Sequence, residues 1–85
     1  MMEETREKIR KYILENFMFT DDETALSNDD SFLEKGIVDS TGMLELIAFI
    51  GDGFQITLED DELIPDNLDS VHKVASFIQR KKGGR

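Results

Sequence analysis

Ser40, within Gly36-Ile37-Val38-Asp39-Ser40-Thr41-Gly42, is the residue whose type and setting point to chemistry. A serine acting as a nucleophile needs a base within hydrogen-bond reach and a third group to orient that base. The single histidine, His72, lies far along the chain, and no Gly-x-Ser-x-Gly elbow surrounds Ser40. The residues therefore argue against a serine hydrolase, and any modification of Ser40 must come from another enzyme. A serine at a helix start ordinarily acts as a cap. A phosphate ester at the same place would be favoured by free backbone N–H groups and by the helix dipole. The neighbouring Asp39 would repel that ester unless a metal ion lay between them.

The other candidates for chemistry are the acid clusters. A calcium loop of the EF-hand kind needs Gly at its sixth position and Glu at its twelfth. Counted from Asp21, those positions hold Leu26 and Phe32; counted from Glu59, they hold Ile64 and Ser70. Both frames fail. Asp60, Asp61 and Glu62 then read first as a solvated acidic face, with loose divalent binding as the lesser alternative. There is no cysteine, which removes disulfides, thiolate zinc sites and cysteine nucleophiles.

The 85 residues provide for one domain with a modest core and little room for an enclosed substrate pocket. Residues 20–69 carry fifteen acids and one base, Lys35, whereas residues 70–85 carry five bases and no acid. Such a middle segment repels nucleic acid and speeds encounter with basic partner surfaces. Plain solubilising charge accounts for it equally well. No apolar run approaches the roughly 18 residues that span a membrane. The opening Met1-Met2-Glu3-Glu4-Thr5-Arg6-Glu7 is too acidic for a secretory or transit segment. The expected location is the cytoplasm, and the expected state a monomer.

Amphipathic periodicity supplies the elements that must position Ser40. Ile9, Tyr12, Ile13 and Phe17 form a helical stripe within residues 3–19. Residues 20–39 read as a long loop that Leu26, Phe32, Leu33, Ile37 and Val38 can anchor to a core. A second helix starts at Ser40, capped by Asp39 or by Ser40 itself, and carries the stripe Met43, Leu46, Ile47, Ile50 and Phe54. Gly51 and Gly53 should fray its last turn. Residues 59–64 can make one or two helical turns before Pro65. Asp69 or Ser70 caps a final helix over about 70–82, with Val71, Val74, Ala75 and Ile78 facing inward. The expected fold is all-α, a small four-helix bundle with three main helices and one short helix before the last. Residues 1–82 form its single domain and 83–85 a disordered tail, with Lys81 and Lys82 expected to be loose as well.

The second helix has more apolar surface than one core stripe explains. Thr41, Leu44, Glu45, Ala48 and Asp52 form a second line at helical spacing, and Phe49 also lies off the core stripe. This mixed apolar and acidic face suits partner docking. The alternative is packing beneath the long loop.

Taken together, Phe32-Leu33-Glu34, Gly36-Ile37-Val38-Asp39-Ser40, Leu44-Glu45-Leu46-Ile47 and Phe54-Gln55-Ile56 resemble the acyl and peptidyl carrier proteins. Their signature is an Asp-Ser-Leu type tripeptide at a helix start, followed by an apolar-Glu-Leu core and a Phe about fourteen residues after the Ser; Phe54 holds that register here. The resemblance runs from about residue 9 to 79. It implies a right-handed four-helix bundle and a 4'-phosphopantetheine arm on Ser40, attached from coenzyme A with Mg²⁺ by a phosphopantetheinyl transferase. It implies that cargo rides as a thioester on the arm, that Asp39 assists the transfer, and that Thr41, Leu44, Glu45, Ala48, Phe49 and Asp52 meet partner enzymes. Those partners are an acyl or aminoacyl ligase or transferase and downstream synthases of lipid or secondary metabolism.

Thr41 stands where the family usually has Leu or Met, and Gly42 where an acidic or polar residue is frequent. Gly51 and Gly53 stand where fatty-acid carriers tend to have Glu. The Asp-Ser-Thr-Gly run resembles freestanding specialised carriers that work beside dedicated acyl or aminoacyl ligases. The competing reading is an acidic interaction module that is never modified, which leaves the register from Ser40 to Phe54 without a cause.

Overall fold

The computed structural model describes residues 2–83, and among them every regular element is helical. The order is α1 (Met2–Ile13), a π turn (Leu14–Met18), a 3₁₀ turn (Glu23–Ala25), α2 (Ser40–Phe54), a second 3₁₀ turn (Asp60–Glu62), α3 (Pro65–Leu68) and α4 (Val71–Gly83). The all-α bundle of three main helices and one short one is thus the observed architecture.

α1 buries Thr5, Ile9 and Ile13 and packs against α4. A uniform helix to residue 19 was the expectation. Instead the last turn widens, and the Leu14 carbonyl accepts from the N–H groups of both Phe19 and Thr20. Phe19 ends the element in the left-handed region at φ 55°, with its ring 81% exposed. π turns of this kind accommodate one extra residue per turn.

The loop between α1 and α2 is tied at several points. Arg10 donates to the Leu26 carbonyl (2.8 Å), to Asn28 Oδ1 (3.0 Å) and to the Glu23 carbonyl (2.6 Å). Leu26, Phe32 and Val38 are buried and Ile37 is half-buried, as their apolar character demands. Leu33 departs from that expectation: it is 45% exposed. Its N–H donates to Asp69 Oδ1 at 2.9 Å, and the adjacent Phe32 N–H to the Asp69 carbonyl at 2.8 Å. These bonds fix the backbone so that Phe32 points in and Leu33 points out.

Leu46, Ile50 and Phe54 of α2 are buried, with Met43 and Ile47 at the core margin. Where fraying was expected, at Gly51 and Gly53, the helix is formed through to Phe54. Gln55 closes the helix in the left-handed conformation with its N–H on the Gly51 carbonyl. Lys8 and Lys82 reach from α1 and α4 to the Gly53 and Phe54 carbonyls, each at 3.3 Å. Cations there satisfy orphan carbonyls and oppose the negative end of the helix dipole.

The segment after α2 corrects the sequence reading. The helical turn before Pro65 is only the 3₁₀ turn, and the short α-helix begins at Pro65 rather than ending ahead of it. Proline lacks an N–H that a first helical position does not use, and its ring keeps Ile64 extended at φ −124°, ψ 155°. Ser70 then opens α4, its Oγ accepting from the Lys73 N–H at 3.1 Å. Val71, Val74, Ala75 and Ile78 are fully buried. α4 runs through Lys81 and Lys82 to Gly83, close to the expected end at about 82; Gly84 and Arg85, of the expected tail, lie outside the described residues. One contiguous core joins α1, the loop anchors, α2, Leu68 and α4.

Candidate functional site around Ser40

Ser40 is the first residue of α2, and it is exposed. The helix starts there because Asp39, extended at φ −92°, ψ −174°, turns its Oδ1 onto the Gly42 N–H at 2.7 Å. Asp39, not Ser40, is therefore the cap. The serine hydroxyl is left at the positive end of a fifteen-residue helix. Asp39 is itself exposed, and a carboxylate offers a second oxygen beyond the one that caps.

Gly42 has a packing role that its place in the motif did not reveal. It is buried, and a Cβ at this position would lie 2.7 Å from Phe17 Cε1 and 3.2 Å from Val38 Cγ1. The π turn after α1 thus abuts the first turn of α2, fixing the backbone that carries Ser40.

Beside Ser40 lies a groove of about 250 Å³, lined also by Leu33, Met43, Leu63, Ile64, Pro65 and Leu68. Its lining is mainly aliphatic, with the serine at its edge. Sequence reasoning assigned Leu33 and Met43 to the core and gave the Leu63-Ile64-Pro65 run no role. The available signal was an apolar run placed directly after four acids, Glu59 to Glu62. A larger depression of about 700 Å³ lies along α1, edged by Glu3, Glu7, Lys11, Glu15 and Asp21. Ser40 is not part of it.

The second line of α2 is at the surface as expected. Thr41, Leu44, Glu45, Ala48 and Asp52 are all exposed, Leu44 by 68%. Phe49 differs. Its ring stacks on Tyr12 at 3.9 Å with planes 6° apart, and meets the Phe54 ring edge-on at 5.9 Å. One face of Phe49 is thus committed to the α1–α2 seam. The Tyr12 hydroxyl donates to the Glu45 carbonyl at 3.3 Å, and burial followed by the Glu45 charge pushes its pKa above the ordinary tyrosine value.

His72 is exposed in the first turn of α4, its N–H donating to the Asn28 carbonyl at 2.9 Å; no hydrogen bond joins its ring to Ser40. The acids near the groove serve the fold. The Glu59 N–H and the Lys81 ammonium hold the Glu62 carboxyl below its ordinary range. Among the described residues, no three His, Cys, Asp or Glu side chains converge as a metal site. No helix among them is long and apolar enough to cross a membrane.

An exposed serine on a helix N-terminus, beside an aliphatic groove, suits a residue that is modified and then presents its modification. No protein-family model matches the chain. It is, however, 31% identical over 80 residues to the acyl carrier protein of Buchnera aphidicola subsp. Acyrthosiphon pisum (strain APS), covering 94% of this chain and 95% of the relative. It is 34% identical over 58 residues to the acyl carrier protein of Exiguobacterium sibiricum, covering 68% of this chain and 71% of that one. With that identity held over nearly the full length of both chains, and with the helical bundle the family requires, this chain belongs to the acyl carrier protein family and carries rather than catalyses.

Proposed function

We propose that Ser40 is the attachment point of a 4'-phosphopantetheine arm and that the chain delivers acyl cargo to partner enzymes. The observation that carries this reading is the exposed Ser40 at the N-terminus of α2 and on the edge of the aliphatic groove. The residues present suit such an arm. A phosphodiester at Ser40 gains from the unpaired N–H groups and dipole of the first turn of α2. The aliphatic walls of the groove accept an apolar chain that starts from the same serine. When bound, the arm supplies the thiol on which cargo rides as a thioester.

The remaining roles belong to the chain itself. Asp39 keeps the first turn of α2 formed and, in this reading, directs its other carboxylate oxygen toward the Mg²⁺ and coenzyme A that a phosphopantetheinyl transferase brings. Thr41, Leu44, Glu45, Ala48 and Asp52 form the docking face, with Leu44 the apolar anchor and Glu45 and Asp52 the charges that attract a basic partner surface. Phe49 contributes through its outer face, since Tyr12 occupies the other. The partners are the transferase, a ligase or acyltransferase that loads the arm, and the synthases that use the cargo, in a cytoplasmic setting.

The deciding experiment is intact mass after incubation with coenzyme A, Mg²⁺ and a broad-specificity pantetheinyl transferase. A single phosphopantetheine increment that vanishes in Ser40→Ala is the expected result. A folded, unmodified chain that gains no increment overturns the proposal in favour of an interaction module that is never modified.

A further inference from the structure

The groove beside Ser40 has one wall that the core hardly holds. Leu63, Ile64, Pro65 and Leu68 form this wall as a strap, yet of these only Leu68 is buried and Ile64 is 43% exposed. Apolar burial alone leaves such a segment among the first to open locally. Polar bonds hold it instead. At its far end, Asp69 accepts from Leu33 N–H, Phe32 N–H and the Ser31 hydroxyl, which pins the strap to the loop ahead of Ser40. At its near end, both oxygens of Glu62 accept from Lys81 Nζ, at 2.9 and 3.1 Å. That pair is largely shielded, with the two side chains 25% and 27% exposed. Asn67 links the ends: its Nδ2 donates to the Glu62 carbonyl at 2.9 Å, and its Oδ1 accepts from Arg80 Nη2 at 2.8 Å. Lys81 and Arg80 both stand on α4, whose Val74 and Ile78 are fully buried, so the ties run to a rigid support.

We infer that Lys81–Glu62 and Arg80–Asn67 form a latch that keeps the groove short and thereby selects compact acyl cargo on Ser40. This inference rests on the proposed attachment at Ser40. With the strap closed, the groove offers about 250 Å³, below the roughly 300–1,000 Å³ of sites that enclose drug-sized ligands. A short acyl group fits that space. A long chain needs the strap to lift, and lifting the strap breaks the bonds from Lys81 and Arg80. Lys81 and Arg80 are thus positioning residues that act on cargo through the strap.

The test has two arms. On the unmodified protein, amide hydrogen exchange compares wild type with Lys81→Met, Lys81→Arg and Asn67→Ala. The Leu63, Asn67 and Asp69 amides should exchange several-fold faster in Lys81→Met and Asn67→Ala, while those of Ile13, Leu46 and Val74 hold; Lys81→Arg should restore protection. In the second arm, a pantetheinyl transferase loads hexanoyl- and dodecanoyl-phosphopantetheine from the matching acyl-coenzyme A, with loading confirmed by mass. Hydroxylamine cleavage should then be slower for hexanoyl than for dodecanoyl cargo in wild type, and Lys81→Met should narrow that difference by protecting dodecanoyl. Strap amides that exchange alike in all variants overturn the latch. Equal cleavage ratios in wild type and Lys81→Met overturn its control of cargo. Failure of wild type to load, with the exchange response intact, overturns the attachment at Ser40 and the cargo selection with it, and leaves a latch that serves only the fold.

Discussion

The two ends of α2 are built on opposite plans. At the N-terminus, a side chain of the same segment caps the helix, Gly42 is jammed against Phe17, and Ser40 faces solvent beside an aliphatic groove. At the C-terminus, Gly51 and Gly53 have ordinary room for a side chain, the Gln55 N–H closes the helix on the Gly51 carbonyl, and Lys8 and Lys82 add caps from distant helices. One end is tight, locally specified and chemically open. The other has more room around its glycines and is held in part by long-range cations. The difference teaches that rigidity is concentrated where a serine must be presented in one orientation, while the far end only has to stop.

The comparison can be broken most sharply at Ser40. Ser40→Ala should abolish the mass increment altogether, yet change stability by no more than about 0.5 kcal/mol, as for an exposed side chain without a cap role. Gly42→Ala comes next. Its Cβ meets the Phe17 ring, so urea unfolding should show a loss within about 1–3 kcal/mol for overpacking, offset in part by the roughly 1 kcal/mol that alanine gains in a helix. Adding Phe17→Leu should recover some of the deficit. Asp39→Ala should cost about 1 kcal/mol as a lost cap and slow the transferase while the far-UV circular dichroism is retained. Modification at full rate would show that Asp39 serves the fold alone.

At the other end the effects shrink and one changes sign. Gly51→Ala should stabilise the protein by about 0.4–1 kcal/mol, because its backbone is already helical and nearby atoms stand at 3.5 Å or more. A destabilised Gly51→Ala would mean that this end is as tightly packed as the first. Lys82→Met should cost about 0.3–1 kcal/mol through the helix dipole, and the loss should fade in high salt. Thermal melts at two ionic strengths read that directly.

How much of this was legible in the sequence follows from which interactions are local. The inward stripe of α4 could be read from periodicity, because Val71, Val74, Ala75 and Ile78 share one face whatever they pack against. A cap at Asp39 or Ser40 was legible for the same reason, and the bond from the Gly42 N–H, three residues on, selects Asp39. Pro65 misled because it is compatible with two opposite roles, ending an element or opening one, and only the extended Ile64 decides between them. Leu33 was read as an anchor because it is apolar; its exposure follows from the bonds that its own N–H and that of Phe32 donate to Asp69, far along the chain. Phe49 was read as off the core stripe, but the ring opposite it belongs to α1. The latch has no local signature at all: spacing along a chain says which residues share a face, not that Glu62 will find Lys81.

The Tyr12–Phe49 stack turns the protein into its own spectrometer. Tyr12 is the sole tyrosine and the chain has no tryptophan, so emission excited on the red side of the phenylalanine absorption, and the long-wavelength part of the near-ultraviolet dichroism, arise from one ring at the α1–α2 seam. Its phenol ionises above the ordinary tyrosine pKa while the seam is closed, so alkaline absorbance should develop late in the folded chain and earlier in urea. Binding a partner on α2 can then be followed without any label, as a change in the signal of a ring bonded to Glu45 and stacked on Phe49.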